Sequence, residues 1–534
     1  MRTKTQAAVA VLLLVLLAVP AATARADTPA ATVDPSILTE LEAVGPHGSV
    51  PVIVYAPGHT GDVTAALPAV KETVDLEVID AVATTVDADQ LDTLAALPAV
   101  TAIVADVPLF ATGAVETMDA TNLTIGLGAL TPPSAGGPTG AGVTVAVVDS
   151  GTSDHVDLLD DEDGPRVLAW VDFVKGKKHP YDDGGHGTFV NGLIAGDGDA
   201  SLPLDQGGRS VQQFRGVAPG AGIVSLKVLD SHGQGRASTL VAAIGWTVRH
   251  RAEYDIRVMN VSVEGPVTGP AATDPMALAV EAAWKAGIVV VCAAGNEGEF
   301  GPGGVLSPGN DPYVITVGAL DTRQTGDRGD DIMAYYSSVG PSLFDEFAKP
   351  DLVAPGNRLV SLRARASWID RTFPQNRVAV SSYIPGARPG EQEQYFVMSG
   401  TSASAPVVTG VVALMLERDP TLTPDDVKVR LMESADRLAG VPAGVQGAGL
   451  VDTPGALASG AHSDGYALSA DLGDGHTVLP PDVELQWQKY AWSKYAWSKY
   501  AWSKYAWSKY AWSKYAWSKY AWSKYAWSVV IDGQ

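Results

Sequence analysis

Residues 143–151 read Val-Thr-Val-Ala-Val-Val-Asp-Ser-Gly, and this stretch decides the expected fold. Its first six residues form a nearly continuous apolar run, of the kind that is buried on both faces of a parallel sheet. Asp149 ends the run and Gly151 follows as a turn residue. We therefore expect Asp149 to lie at the carboxyl end of a central strand and to face a site rather than the core.

Three further apolar runs of the same length recur along the chain, at 223–228, 258–263 and 288–293. Helical patterns lie between them, notably at 239–250 and 275–285. Alternation of buried strands with helices is typical of an α/β domain with a doubly wound, mostly parallel sheet. In such a fold, ligands bind outside the carboxyl ends of the strands.

Two other segments combine chemically active side chains with glycines and helix starts. Residues 184–190 read Gly-Gly-His-Gly-Thr-Phe-Val, and the glycines allow the backbone to pass close to His186, which opens a helix. Residues 399–406 read Ser-Gly-Thr-Ser-Ala-Ser-Ala-Pro and precede a helical run, which places Ser402 at a helix N-terminus. Backbone N–H groups at that end of a helix favour a developing negative charge.

Asp149, His186 and Ser402 have the residue types of a catalytic triad. A hydroxyl is a weak nucleophile at neutral pH and needs a base within hydrogen-bonding distance. The base in turn needs a carboxylate that fixes its tautomer and stabilises its cation. Each segment alone is a common feature of strand ends, turns and helix starts, but the three together predict a serine-type hydrolase.

The chain order Asp, His, Ser and the motifs around these residues resemble the subtilase family of serine peptidases, over roughly residues 140–457. The resemblance implies a subtilisin-like fold and hydrolysis of protein or peptide substrates through an acyl-enzyme, with no organic cofactor required. Residues 289–298, Val-Val-Val-Cys-Ala-Ala-Gly-Asn-Glu-Gly, are similar to the family's oxyanion-hole segment. Asn296 is thereby implied as a donor to the oxyanion.

By the same resemblance, two segments are implied to bind the substrate. One matches the family's cleft strand and the other precedes the oxyanion donor; their residues are Ser262, Val263, Glu264 and Gly265, and Ala294 and Gly295. The chain departs from the family pattern by Glu264, where Gly is usual. A carboxylate there either narrows the pocket or favours basic side chains of the substrate.

The first 26 residues have the pattern of an export signal. Arg2 and Lys4 precede an apolar run at 7–19, and Ala24-Arg25-Ala26 forms a small-residue cleavage site. A membrane span needs about 20 apolar residues, so this shorter run favours secretion over anchoring in the membrane.

Residues 50–110 predict a second, smaller unit. Strand-like runs surround two helical patterns, near 62–70 and 89–97, in the order β-α-β-β-α-β of a ferredoxin-like α+β domain. Its position resembles that of the inhibitory propeptide of subtilases, which assists folding, occupies the cleft and is removed by self-cleavage. Cleavage is expected between Leu109 and Thr121.

Composition limits the remaining function classes. The net charge of −23 argues against nucleic acid or an anionic membrane as a partner, because both bind proteins through Lys and Arg. Cys292 is the single cysteine, which precludes an intrachain disulfide and is typical of a small core residue. The acidic stretch 157–163 either binds calcium as a structural ion or forms a solvated turn, and no metal ligands are assigned.

Residues 489–528 consist of eight tandem copies of Lys-Tyr-Ala-Trp-Ser. A period of five matches neither a strand nor a helix, so a stacked solenoid, a fold induced by a partner and a disordered tail all remain open. The alternative function is a cell-surface or polysaccharide-binding protein that acts through this aromatic, cationic tail and cleaves only itself. Expansion of a tolerated tail without function explains the repeats equally well.

The sequence thus predicts a secreted, extracellular serine endopeptidase made as a self-processing precursor. Residues 363–394, rich in Pro, Arg and Ser, are expected to form an inserted surface loop within its peptidase domain. The expected segments are a signal peptide (1–26), a linker (27–49), the propeptide domain (50–112), an N-terminal segment with a Pro/Gly-rich stretch (113–139), the peptidase domain (140–460), a second linker (461–488), the repeats (489–528) and a tail (529–534).

Overall fold

The computed structural model describes residues 31–45, 48–68, 72–110, 121–131, 136–159, 164–201, 213–384, 387 and 392–470. The expected signal peptide, the pentapeptide repeats and most of the segment in which self-cleavage is expected lie outside these residues.

The strands, in chain order, are β1 (Thr32–Val33), β2 (Val50–Tyr55), β3 (Val74–Leu76), β4 (Ala81–Val86), β5 (Ala102–Ala105), β6 (Pro108–Phe110), β7 (Thr144–Asp149), β8 (Val167–Asp172), β9 (Gly222–Lys227), β10 (Gln234–Arg236), β11 (Ile256–Val261), β12 (Val289–Ala293), β13 (Ile315–Asp321), β14 (Ile332–Met333), β15 (Leu352–Pro355), β16 (Leu359–Leu362) and β17 (Tyr395–Met398). The α-helices are α1 (Pro35–Val44), α2 (Thr60–Ala66), α3 (Ala88–Ala95), α4 (Thr121–Thr124), α5 (His186–Ala195), α6 (Ala237–His250), α7 (Pro275–Lys285), α8 (Trp368–Thr372), α9 (Thr401–Arg418), α10 (Pro424–Ser434), α11 (Ala443–Gln446) and α12 (Thr453–Ala458).

A mostly parallel sheet forms the centre of the larger domain. Its strand order is β8-β9-β7-β11-β12-β13, and β13 also pairs with the parallel strand β15 and the antiparallel strand β14. Strand β7, which ends in Asp149, lies between β9 and β11 and is buried along its whole length. Such burial is expected of a parallel strand covered on both faces. The predicted α/β fold is confirmed.

Two helix pairs pack against this sheet. Helices α5 and α9 contact each other, and α9 also contacts β11, β12 and β13. Helices α6 and α7 contact each other, and they reach β7 and β12 respectively. Cys292 is fully buried in β12, as predicted, and burial raises the pKa of its thiol. Within the described part of the chain, no helix combines the length and the apolar character required to cross a membrane.

The smaller domain has the predicted β-α-β-β-α-β order. Its sheet runs β1-β5-β2-β4-β3, and β2 is antiparallel to both of its neighbours. Alternation along β2 gives the sheet two buried faces. Val52 and Val54 pack with Val63 of α2 in the small domain's own core, whereas Ile53 and Tyr55 belong to the core of the larger domain.

The segment 27–49, expected to be a linker, contains β1 and α1. Strand β1 pairs in parallel with β5, and Ile37 of α1 is fully buried in the core of the small domain. The Asp34 side chain caps α1 by accepting a hydrogen bond from the backbone N–H of Ser36. The apolar face of this helix consists of Ile37 and Leu41 alone, a pattern too short to predict a packed element.

Residues 363–394, expected to be a surface loop, contribute to a second small core. Tyr383 is fully buried, and its ring lies 5.6 Å from that of Phe214 and 5.2 Å from that of Tyr395. The guanidinium of Arg363 forms two hydrogen bonds with the carboxylate of Asp370, at 2.6 and 3.1 Å. Phe214 is far from both tyrosines in the sequence, so no periodicity predicts their contact.

The larger domain continues into the expected linker 461–488. The Ser469 hydroxyl donates to Asp351 Oδ1 at 2.6 Å and accepts from Lys428 Nζ at 3.0 Å. Lys349 Nζ lies 2.8 Å from Asp351 Oδ2, and all three charged side chains are buried. Lys428 Nζ also donates to the carbonyl oxygens of Pro312, Tyr313 and Val314. Burial lowers the pKa of Lys428 to about 8, although the Asp351 carboxylate opposes this shift.

We predict that Lys428→Met lowers the free energy of unfolding by about 3 kcal/mol, because it leaves buried carbonyl groups without a donor and removes a partner of a buried carboxylate. The control is Lys285→Met, since Lys285 pairs with Glu281 at the surface and its loss should cost less than about 1 kcal/mol. Thermal denaturation of both variants measures the difference. Equal melting temperatures would contradict the prediction.

Candidate active site

Three elements bring the predicted triad residues together at the carboxyl end of the central sheet. Asp149 is the last residue of β7, His186 is the first residue of α5, and Ser402 is the second residue of α9. They are separated along the chain by 37 and 216 residues. Their meeting point is the edge of the sheet at which ligands bind in open α/β folds.

The three side chains form a continuous line of hydrogen bonds. Ser402 Oγ lies 3.0 Å from His186 Nε2, and His186 Nδ1 lies 2.9 Å from both carboxylate oxygens of Asp149. All three residues are buried. In this geometry one ring nitrogen faces the hydroxyl while the other is held by the carboxylate, which is the arrangement that a hydroxyl nucleophile requires.

The environment of His186 raises the pKa of its imidazole. Burial is the largest single influence and would lower this pKa, whereas the charge of Asp149 and its hydrogen bond to Nδ1 are the main influences that raise it. The carboxylates of Asp182 and Glu264 act in the same direction. The imidazolium is therefore stabilised at the place where a proton from Ser402 would arrive.

The start of α9 is shaped by Pro406. Because proline has no N–H, Pro406 cannot donate to the carbonyl of Ser402 four residues earlier. The Ser262 hydroxyl donates to that carbonyl oxygen instead, at 3.0 Å. Gly400 precedes the helix with φ of 150°, a backbone conformation that favours glycine. These features fix the helix turn that carries Ser402.

The side chain of Asn296 is oriented by Thr401. Asn296 Oδ1 accepts from the backbone N–H of Thr401 at 2.9 Å and from its hydroxyl at 3.2 Å. The Thr401 hydroxyl in turn accepts from the backbone N–H of Gly295 at 3.1 Å. Thr401, which directly precedes Ser402 in the chain, holds the carbonyl end of the Asn296 amide. The Nδ2 group is therefore the end directed away from Thr401.

Most of the predicted substrate-binding residues use their polar groups inside the domain. The backbone of Gly265 pairs in both directions with Ser307, at 2.9 and 3.1 Å. Ala294 donates to Val317 and accepts from Leu306. Gly295 donates to Thr401 and accepts from the N–H of Ser338. Substrate contacts of these residues remain a prediction.

The Ser262 side chain contacts the helix that carries the nucleophile. Its hydroxyl accepts from Asn260 Nδ2 at 2.8 Å and donates to the Ser402 carbonyl. Asn260 Oδ1 accepts from the Thr409 hydroxyl at 2.9 Å. Sequence reasoning missed Asn260, Thr409 and Thr401. A buried amide inside the apolar run of β11 was the available signal, because such groups are retained only with partners.

The structure changes the interpretation of the acidic stretch 157–163, of which residues 157–159 are described. Asp157 is fully buried, and it accepts hydrogen bonds from the Tyr395 hydroxyl at 2.7 Å and the Ala200 N–H at 2.8 Å. It is therefore not part of a solvated turn. Among the described residues, no three His, Cys, Asp or Glu side chains gather as metal ligands would.

Comparison with known proteins identifies relatives over the same region. The model of the subtilase family matches residues 140–450, which is more than half of the chain. Serine protease AprX of Bacillus subtilis is 39% identical over 319 residues, which make up 59% of this chain and 66% of AprX. Subtilisin DY of Bacillus licheniformis is 31% identical over 301 residues, 56% of this chain and 85% of that protein. The chain thus spans just under two thirds of AprX and most of subtilisin DY.

A solved structure agrees with the fold. Fervidolysin from Fervidobacterium pennivorans, described as a keratinolytic enzyme related to subtilisin, superimposes with a TM-score of 0.56 at 23% sequence identity. The alignment covers 77% of this chain and 61% of fervidolysin. At that identity the likeness concerns the fold alone. The family match over residues 140–450 establishes that the chain belongs to the subtilase family of serine peptidases.

Proposed function

We propose that this protein is a secreted serine endopeptidase, made as a precursor that processes itself, with Asp149, His186 and Ser402 as its catalytic triad. The observation that carries the proposal is the continuous hydrogen-bonded line through these side chains at the carboxyl edge of the sheet. The relative AprX is named a serine protease and the relative subtilisin DY is named a subtilisin, and both names support the same reaction here. The substrates are proteins or peptides, and no organic cofactor takes part.

In the proposed mechanism, Ser402 Oγ attacks the carbonyl carbon of the scissile peptide bond while His186 Nε2 takes the hydroxyl proton. Asp149 holds the ring and stabilises the imidazolium. The Nδ2 group of Asn296 and the backbone N–H of Ser402 stabilise the oxyanion of the tetrahedral intermediate. His186 then gives the proton to the leaving amine. In the second half of the reaction, water attacks the acyl-enzyme while His186 takes its proton. His186 then returns that proton to Ser402 Oγ as the acyl group is released.

Contacts of the small domain support its role as an inhibitory propeptide. Its β6 pairs antiparallel with β10, which directly precedes α6, and Leu109 lies opposite Gly235. The Asp106 carboxylate accepts hydrogen bonds from the backbone N–H and the hydroxyl of Ser238 in the first turn of α6. A carboxylate at a helix N-terminus is favourable. The small domain is thus attached to a helix of the larger domain immediately before the segment in which cleavage is expected.

The face of the small sheet that carries Ile53 and Tyr55 supports the same role. Once the small domain is cleaved off and released, these apolar side chains would lose the larger domain as their partner. A face buried only against the enzyme is suited to a domain that assists folding and is then removed. The export pattern of residues 1–26 supports secretion.

We predict that Ser402→Ala abolishes both self-processing and hydrolysis of added casein, because the nucleophile is lost. Ser404→Ala is the control, since this serine lies two residues further along α9, is equally buried, and its hydroxyl has no hydrogen-bond partner among the described residues. Mass spectrometry of the secreted proteins, incubated with casein, measures both reactions. If the Ser402→Ala protein matures like the wild type and casein survives in all samples, the proposed function is wrong.

We predict that Asn296→Ala lowers kcat by about a hundred- to thousand-fold, the loss found for the corresponding donor in subtilisin. Thr401→Val removes the hydroxyl that orients Asn296 and should lower kcat about tenfold, but it should have little further effect in an Asn296→Ala background. Steady-state kinetics of the single and double variants form the test. Multiplicative losses would show that Thr401 acts independently of Asn296.

We predict that kcat/KM falls as the pH decreases through a value above 6.5, the approximate ordinary pKa of histidine. Only neutral His186 can accept the Ser402 proton, and its raised pKa moves protonation to higher pH. The pH profile of kcat/KM for a chromogenic peptide measures this limb. A limb centred below 6.5 would contradict the raised pKa of His186.

A further inference from the structure

We propose that Asp182 is a positioning residue for the triad, and that its carboxylate holds the backbone beside both His186 and Asp149. The inference rests on the proposed function for its consequence in catalysis. Its geometry stands on the structure alone.

Asp182 is buried, and both of its carboxylate oxygens are fully engaged. Oδ1 accepts from the Ser150 hydroxyl at 2.8 Å and from the Gly185 N–H at 2.7 Å. Oδ2 accepts from the N–H of Thr188 at 2.8 Å and from its hydroxyl at 2.7 Å. Among the described residues Asp182 has no salt-bridge partner, and burying such a carboxylate is unfavourable unless the fold fixes donors such as these four around it.

These donors lie on either side of the catalytic groups. Gly185 precedes His186 directly and Thr188 follows it by two residues, so Asp182 holds the first turn of α5 from which the imidazole projects. Ser150 follows Asp149 directly, and its hydroxyl also accepts from the Gly187 N–H at 2.8 Å. One carboxylate therefore couples the end of β7 to the start of α5, and this coupling sets the distance between Asp149 and His186.

The space around this junction leaves little freedom for another arrangement. Gly185 has φ of 106°, in the region that favours glycine, and a Cβ on Gly187 would come within 2.2 Å of the Gly151 carbonyl oxygen. The turn of β7 and the turn of α5 are thus in direct contact. Hydrogen bonds to Asp182 determine how they meet.

The charges that face His186 act mostly in one direction. Asp149, Asp182 and Glu264 all raise the pKa of its imidazole. A cation, Lys227, lies opposite Asp149 in the sheet, and its buried Nζ donates to the Ser150 carbonyl at 2.5 Å and to Asp183 Oδ1 at 2.7 Å. Removing the charge of Asp182 therefore leaves Asp149 and Glu264 to oppose burial, and the pKa of His186 should decrease.

The adjacent Asp183 has a different place in the structure. It is partly exposed and pairs with Lys175 and Lys227 rather than with the backbone of the triad loops. Asp182 and Asp183 are thus adjacent residues of the same type whose side chains have different hydrogen-bond partners. Only Asp182 has hydrogen bonds next to both His186 and Asp149.

The test compares Asp182→Asn with Asp172→Asn. An asparagine side chain offers one oxygen and one NH₂ group, so at position 182 it leaves two donors facing a donor and removes the charge. Asp172 is the matched control, because it is also buried and accepts four hydrogen bonds, from the N–H groups of Val174, Lys175 and Lys177 and from the Tyr181 hydroxyl. None of these donors lies beside a triad residue.

Two measurements are made on the full chain. The pKa of His186 is measured by NMR titration of the labelled imidazole in a Ser402→Ala background, where no peptidase activity is needed. Turnover of a chromogenic peptide is measured with Ser402 intact. We expect Asp182→Asn to lower the pKa of His186 by about half a pH unit or more and to lower kcat at least about tenfold with KM nearly unchanged. Asp172→Asn should change neither the pKa nor kcat by a comparable amount.

An unchanged pKa of His186 in Asp182→Asn overturns the inference, as does an equal effect of Asp172→Asn on both readouts. If the wild type has no peptidase activity, the proposed function fails, while the NMR titration still decides the role of Asp182. Should Asp182→Asn not fold, Ser150→Ala replaces it. That variant keeps the charge but breaks the coupling of the two loops, so we expect a loss in kcat of at least about threefold without a change in the pKa, and wild-type kcat would overturn the inference.

Discussion

The hydrogen bond between His186 and Asp149 is made where neither side chain has more than 5% of its surface exposed. A carboxylate and an imidazole that must carry charge during a reaction are costly to remove from water, and the surrounding structure has to supply what water would otherwise provide. Here the end of β7 and the start of α5 supply it. The Ser150 N–H donates to Asp149, and the four donors around Asp182 keep the two segments in contact.

The nucleophile Ser402 likewise depends on other protein groups that replace a missing hydrogen bond. Pro406 removes one hydrogen bond from the first turns of α9, and the polar series of Thr409, Asn260 and Ser262 provides a donor for the carbonyl that is left. This series crosses from the helix to the strand β11 and back. Because its members are buried, a change in one leaves the others without partners. Precise placement of Ser402 is thus a property of the contact between α9 and the sheet.

Burial also explains the relation between the two domains. The small sheet has one face in its own core and the other in the core of the larger domain, and α1 adds Ile37 to the former. Segments that were expected to be a linker or a surface loop also contribute buried residues. Ser469 reaches the buried Lys428 and Asp351, and Tyr383 fills a core beside Phe214. Each of these residues is buried although the segment around it has no apolar periodicity.

The sequence by itself determined the elements with strong local signals: the apolar runs of β7, β9, β11 and β12, the helices after His186 and Ser402, and the small β-α-β-β-α-β domain. It also identified the residue types of the triad, because a strand end, a glycine-flanked histidine and a helix start are local features. What only the tertiary structure decided is how polar groups pair across elements. The orientation of Asn296 by Thr401, the role of Ser262 at the Ser402 carbonyl and the difference between Asp182 and Asp183 all depend on contacts between residues that are distant in sequence or equivalent in type. The physical reason is that apolar periodicity is written into each segment, whereas the partner of a buried polar group is fixed only when the segments pack.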